Sequence, residues 1–273
     1  IEVDEEVMER YFEGQQPTDD ELSRLIVRAV VEGTLVPIVC TSGKTNTGLD
    51  ELIEAVAMCA PSPADVKRTA KKGGEDVELK CDASAPLAAQ VFRTRIDPFV
   101  QKLSFVRVYQ GTLKKDATVP CTTSRKPIKL GPLLEVQAGE TSAVDDAGPG
   151  DIVAIAKMEE IHTGASLGDF VLPEIQFPKP MVGLAVTPKS RGDETKLSGA
   201  LAKVVEEDST FHIDRDAQTK EMVMTGMSEL HLKIVQEKLH SRDNVEIETK
   251  EPKNPLREPI QQKAEGRYRL KKP

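Results

Sequence analysis

The spacing of apolar residues changes twice along this chain, and those changes exclude a single uniform fold. Up to Cys59 the spacing is helical: Leu22, Leu25, Ile26, Ala29 and Val30 form one stripe, and Leu52, Ile53 and Val56 form another. From Leu87 the period is two, with Ala89, Val91 and Arg93 alternating with Gln90, Phe92 and Thr94. After Pro180 the two periods are mixed. Three kinds of folding unit in series are therefore expected. The 273 residues are enough for about two domains.

The first unit reads as an α/β piece. Val3 to Phe12 can form a short helix, and Thr18 to Glu21 (TDDE) is a capping-box pattern opening a second one that Gly33 ends. The apolar run Leu35 to Val39 is short enough for a strand buried on both faces. A polar loop from Cys40 to Gly48 leads to a helix from about Leu49 to Cys59, with Leu52, Ile53 and Val56 pointing inward. In parallel sheets ligands bind beyond the carboxyl ends of the strands, which is where Thr41 to Gly48 would lie. An ordinary strand–helix connection has the same composition. Pro61 to Glu75, with Gly73-Gly74 and the basic run Lys67, Arg68, Lys71 and Lys72, reads as an exposed linker.

Many short strands follow. Leu103 to Tyr109, Leu130 to Val136, Ala143-Val144 and Ile152 to Ile155 are separated by turns at Gln110-Gly111 and Gly148-Pro149-Gly150-Asp151. That pattern predicts an all-β barrel or sandwich. His162 has no neighbouring metal ligands and reads as a surface or loop histidine.

Phe177-Pro178-Lys179-Pro180 is a second linker. Beyond it the order is strand (Met181 to Val186), helix (Leu197, Ala200, Leu201, Val204 and Val205 inward), strands (Thr210 to Ile213 and Glu221 to Met224), helix, strand (Val245 to Glu248). This βαββαβ order predicts a ferredoxin-like α+β domain. Its second helix is capped by Ser228, with Glu229 in the first turn and Leu230, Ile234, Val235 and Leu239 as its apolar stripe. Glu229 and His231 read as a capping residue and a partly buried polar residue. No Ser or Cys nucleophile or metal set accompanies them, so no catalytic residue is assigned.

Composition narrows the class. The chain is 38% hydrophobic and 30% charged, which suits a globular fold, and no apolar run approaches the ~20 residues of a membrane span. A net charge of -8 argues against a general nucleic-acid coat. A local basic cluster does occur at Lys263, Arg267, Arg269, Lys271 and Lys272. Cys40, Cys59, Cys81 and Cys121 form no CxxC pair and read as reduced thiols of a cytoplasmic protein. The chain starts inside a helix-like pattern at Ile1 without an initiator Met, so a piece of a longer protein is expected.

Several longer motifs resemble the elongation factor G-like translational GTPases, which include the eukaryotic and archaeal elongation factor 2. They are Arg107-Val108-Tyr109-Gln110-Gly111-Thr112-Leu113, Gly150-Asp151-Ile152-Val153-Ala154-Ile155 and His162-Thr163-Gly164-Ala165-Ser166-Leu167-Gly168-Asp169 in the β region. In the α+β region they are Leu197-Ser198-Gly199-Ala200-Leu201 through Glu206-Glu207-Asp208-Ser209-Thr210-Phe211, and Thr225-Gly226-Met227-Ser228-Glu229-Leu230-His231-Leu232-Lys233-Ile234. Ser228 stands where the family has Gly, and Lys233 where it has Glu.

The resemblance implies a multidomain chain. Residues 1–60 would be the end of a P-loop GTPase domain, 61–76 a linker, 77–176 the translation-factor barrel, 177–250 the ferredoxin-like third domain, and 251–273 a linker and the start of a fourth, with a strand from Ile260 to Leu270. It places Thr41, Ser42, Gly43 and Lys44 under the guanine base, with the Gly43 N–H donating to the guanine carbonyl. It makes Glu229 and His231 interface residues, and Pro61 to Glu75 and Ile175 to Pro180 the mechanical hinges. It implies GTP and Mg2+ in the parent protein and the ribosome (rRNA and small-subunit protein surfaces) as partner, for a monomer that drives tRNA–mRNA translocation. A non-translocating recycling, rescue or protection factor, or a binding module without a working nucleotide site, is the alternative. The 273 residues contain no G-x-x-x-x-G-K phosphate loop followed by Ser or Thr. Neither a switch Asp-x-x-Gly upstream nor a guanine-selecting Asn-Lys-x-Asp is present. The chain alone is therefore expected not to bind or hydrolyse GTP.

Overall fold

Local side-chain chemistry starts the first helices of the computed structural model, which describes residues 2–97, 99, 101–254, 265, 266 and 269. The Asp4 carboxylate accepts the Val7 N–H and opens α1 (Glu5–Phe12). At α2 (Asp19–Val31), Thr18 Oγ1 accepts the Glu21 N–H at 3.3 Å and Glu21 Oε2 accepts the Thr18 N–H at 2.9 Å, so two orphan helix donors are satisfied reciprocally. A loop then leads to α3 (Leu49–Cys59).

Two expectations fail in this segment. Leu35 to Val39 forms no strand; Val36 is 78% and Ile38 89% exposed. Leu52, Ile53 and Val56 of α3 are exposed too. The physical reason is shared. A buried strand needs neighbours to bond its amides and to cover its faces, and among the described residues none pairs with this run. Val7 and Leu25 are the buried side chains of residues 2–60.

The linker expected over Pro61 to Glu75 is also corrected. Gly73 and Gly74 have φ of +61° and +96°, the left-handed pair that a two-residue hairpin turn requires. β1 (Arg68–Lys72) therefore folds back on β2 (Glu75–Leu79). Ala70 and Leu79 of this hairpin are buried with Ala88, Phe170 and Leu172, and Lys72 Nζ lies 5.0 Å from the Phe170 ring centroid.

The β region continues with β3 (Ala88–Asp97), β4 (Gln101–Gln110), β5 (Leu113–Lys114), β6 (Thr118–Val119), β7 (Ile128–Lys129), β8 (Leu133–Gln137), β9 (Glu140–Val144), β10 (Asp146–Ala147), β11 (Ile152–Ala156) and β12 (Ser166–Gly168). Six of these strands form one sheet in the order β12-β3-β4-β11-β8-β9, with the short ladders β5–β10 and β6–β7 beside it. Val91, Val106, Val108, Leu113, Leu133, Ile155, Ile161 and Leu167 make the enclosed core. Gly168 is obligatory at its rim. Its φ is +101°, and a Cβ there would lie 2.0 Å from the Leu87 carbonyl oxygen.

The third unit comprises β13 (Val182–Pro188), α4 (Glu194–Glu207), β14 (His212–Arg215), β15 (Met222–Gly226), α5 (Glu229–Asp243) and β16 (Ile247–Lys250). Its antiparallel sheet has the order β14-β15-β13-β16, so the first and third strands are central, as a ferredoxin-like connection demands. α4 buries Leu197, Ala200, Leu201 and Val204. The expected stripe of α5 is partly wrong. Leu232, Val235 and Leu239 are buried, while Leu230 is 66% and Ile234 54% exposed. Both sets obey helical spacing, and the position of the sheet selects the first.

The basic residues Lys263, Arg267, Lys271 and Lys272, and the strand expected from Ile260 to Leu270, lie outside the described residues, apart from Glu265, Gly266 and Arg269.

Candidate functional site

The residues singled out from the sequence fall in two separate places. The first is the loop from Thr41 to Lys44. The Ser42 N–H donates to the Thr47 carbonyl at 2.9 Å, and these two residues form a bridge that closes a tight turn over 43–46. Thr41, Gly43 and Lys44 are exposed at the turn, and nothing lies within 4 Å of where a Gly43 Cβ would stand. A flat ring can approach such a backbone edge. These residues fit a contact to the base of a nucleotide. They offer nothing for its phosphates or a Mg2+ ion, for which the sequence has no phosphate loop.

The second place is the start of α5. Ser228 caps the helix by accepting the His231 N–H at 3.1 Å. Glu229 is exposed in the first turn, where its charge suits the helix dipole. His231 turns inward instead. Its Nδ1 accepts the Met227 N–H at 3.1 Å, which leaves the proton on Nε2 to be donated to Asp208 Oδ2 at 3.0 Å. The Phe211 ring meets the imidazole edge-on at 6.3 Å. Gly226 makes room for it, since a Cβ there would lie 2.9 Å from His231 Nδ1. The sequence pairs Glu229 with His231; the structure points them in opposite directions.

Asp208 connects this bracket to a feature that the sequence shows only as a helix end. Burial pushes the Asp208 carboxyl up, but the hydrogen bonds from the Thr210 hydroxyl and N–H, with His231 beside them, outweigh it and hold the group below the usual range. The two preceding carboxylates reach across to the barrel, and Glu207 binds within its own domain as well. Glu206 Oε1 receives Lys102 Nζ of β4 at 2.7 Å, and Glu206 Oε2 lies 2.9 Å from His162 Nδ1. Glu207 Oε1 accepts the Ile96 N–H of β3 at 2.8 Å, and its Oε2 receives Lys238 and Arg242 of α5 at 2.5 and 2.8 Å. Burial pushes Glu207 up, and these donors together hold it below its ordinary value. His162, read as a surface histidine, is half-exposed yet paired.

None of these groups forms a catalytic set. Among the described residues no group of three or more His, Cys, Asp or Glu could hold a metal ion, and no helix is long and apolar enough to cross a membrane. What the geometry provides is a β-barrel joined to a βαββαβ domain through ion pairs, with chemistry suited to holding parts in place. Residues 86–170 match the family model described as elongation factor G domain 2, and residues 177–251 the one described as elongation factor G domain III. Curated relatives include the proteins named elongation factor G from Thermotoga maritima and Thermotoga petrophila. Each is 36% identical over 276 residues, a match covering 98% of this chain and 40% of the relative. A crystal structure of a Thermus thermophilus protein superposes with a TM-score of 0.70 and 30% identity, over 93% of this chain and 36% of its own. The chain is elongation factor G-like and carries that family's second and third domains. It spans about two-fifths of the length of the curated relatives it matches, at 40%.

Proposed function

We propose that this chain is the part of a ribosome-dependent elongation factor that transmits rearrangement from a GTPase domain to tRNA–mRNA translocation. The observation that carries the reading is continuity. Both family domains occur in order, within a similarity to proteins named elongation factor G that runs through 98% of the chain. In this reading residues 1–60 close the nucleotide domain of a GTPase that works in the cytoplasm as a monomer with GTP and Mg2+. Thr41, Ser42, Gly43 and Lys44 then pack under the guanine base; the exposed Gly43 backbone supports that role. Residues 77–176 and 177–250 are the barrel and third domain, and 251–273 lead into a fourth. Glu229, exposed on α5, belongs to a surface facing the ribosome or the nucleotide domain, and His231 holds the helix start that presents it.

The test uses the full-length protein. Ribosome-stimulated GTP turnover should accompany movement of tRNA and mRNA. Turnover without movement would assign the protein to recycling, rescue or protection instead. Tight GTP binding by residues 1–273 alone would contradict the reading, because no phosphate loop is present.

A further inference from the structure

The barrel core and the α+β core share no residue and no packed neighbour among the described residues. Carboxylates at the end of α4 reach from one body to the other. Lys102, on the inward row of β4, is 2% exposed, and its ammonium has two acceptors: the Glu159 carbonyl at 3.2 Å and Glu206 of the other body at 2.7 Å. One strand over, the Ile96 N–H opposite Lys102 points away from the ladder and is satisfied by Glu207. Glu207 also holds Lys238 and Arg242, so a single carboxylate ties β3 to α5. A cleft of about 740 Å³ opens beside these groups, lined by Lys102, Lys203, Glu206 and Arg242 among others.

We propose that Glu206 and Glu207 are an interdomain lock: they couple the barrel to the α+β domain, and removing them frees the two bodies from each other without unfolding either. This inference stands on the geometry alone and does not depend on the ribosomal reading. A carboxylate that bonds a backbone N–H of one body and two cations of the other fixes their relative angle, which an apolar contact would not. Because these pairs are largely buried, salt weakens the contact only modestly.

The experiment is amide hydrogen exchange on the chain carrying Glu206→Ala, which leaves Glu207, the acceptor of the Ile96 N–H, in place. Exchange at Ile96 should quicken by roughly tenfold or more. Exchange at Val91, whose N–H bonds Ala165 in the barrel, and at Leu232, bonded to Ser228 in α5, should stay unchanged. High salt should move the parent chain modestly in the same direction. Lys102→Met, which removes the other half of one pair and leaves an apolar side chain, should also speed Ile96. Unchanged Ile96 protection in both variants would overturn the lock. So would loss of protection at Val91 or Leu232 equal to that at Ile96 in both variants, because the carboxylates would then be supporting a fold rather than coupling two.

Discussion

Replacing His231 by Ala should separate a structural histidine from a decorative one. The substitution takes the acceptor from the Met227 N–H and the donor from Asp208. An orphaned, part-buried N–H costs about 1–3 kcal/mol, and a hydrogen bond to a charged carboxylate contributes about 1.5–3 kcal/mol. Asp208 keeps both Thr210 donors, and its side chain is 37% exposed, so water replaces part of the second loss. The expected total is about 2–3 kcal/mol of unfolding free energy, confined to the α+β domain. Glu229→Ala is the internal control. Glu229 is exposed and contributes through the helix dipole, so its loss should cost less than about 1 kcal/mol. Urea unfolding followed by circular dichroism, with exchange at Leu232 and Leu239 as local reporters, measures both. Equal costs for the two variants, or a His231→Ala cost below about 1 kcal/mol, would refute the bracket.

Further outcomes follow from the same structure. Gly168→Ala forces a side chain into a left-handed backbone and onto the Leu87 carbonyl, so the barrel should lose more than about 3 kcal/mol, read by thermal unfolding. Gln101 has φ of +70°, a conformation that costs a non-glycine residue about 1 kcal/mol, so Gln101→Gly should raise stability by roughly 0.5 kcal/mol after glycine's extra unfolded-state entropy is deducted. Glu207, Asp208 and Asp243 are all held below the ordinary carboxylate range, so the unfolded chain binds their protons more readily. The stability they contribute is complete above about pH 5, beyond the unfolded carboxylate range, and is lost progressively as pH falls toward and through their lower folded values. Glu207→Gln should flatten that acid limb in a denaturation series. A limb as steep as that of the parent chain would be evidence against the linkage.

What could be read from the sequence was what depends on near neighbours. Thr18 and Glu21 are three residues apart, as are Ser228 and His231, and both caps form as their side chains dictate. The βαββαβ order was legible because each element carries its own period. The failures are tertiary. Leu35 to Val39 has the composition of a buried strand, but composition supplies no partner strand. Gly73-Gly74 signals a turn, yet a linker and a hairpin use the same two letters until the flanking strands are seen to pair. In α5, Leu230 and Ile234 compete with Leu232, Val235 and Leu239 for the sheet, and spacing alone does not decide between them. The Glu206–Glu207 lock was beyond reach for a simpler reason: Glu207 finds its Ile96 partner 111 residues away. The signal available was two adjacent carboxylates at the end of a helix, where the dipole disfavours them and another cation or donor is required.

The central claim is that this chain does the mechanical work of the second and third domains of an elongation factor G. The most direct measurement is a chimera in which residues 77–250 replace the corresponding segment of the Thermotoga maritima relative, assayed for tRNA movement on ribosomes under single-turnover conditions. The account predicts GTP-dependent translocation within roughly tenfold of the unmodified factor, a difference of about 1.4 kcal/mol in barrier. A folded chimera that turns over GTP on the ribosome but leaves the tRNAs in place would contradict it.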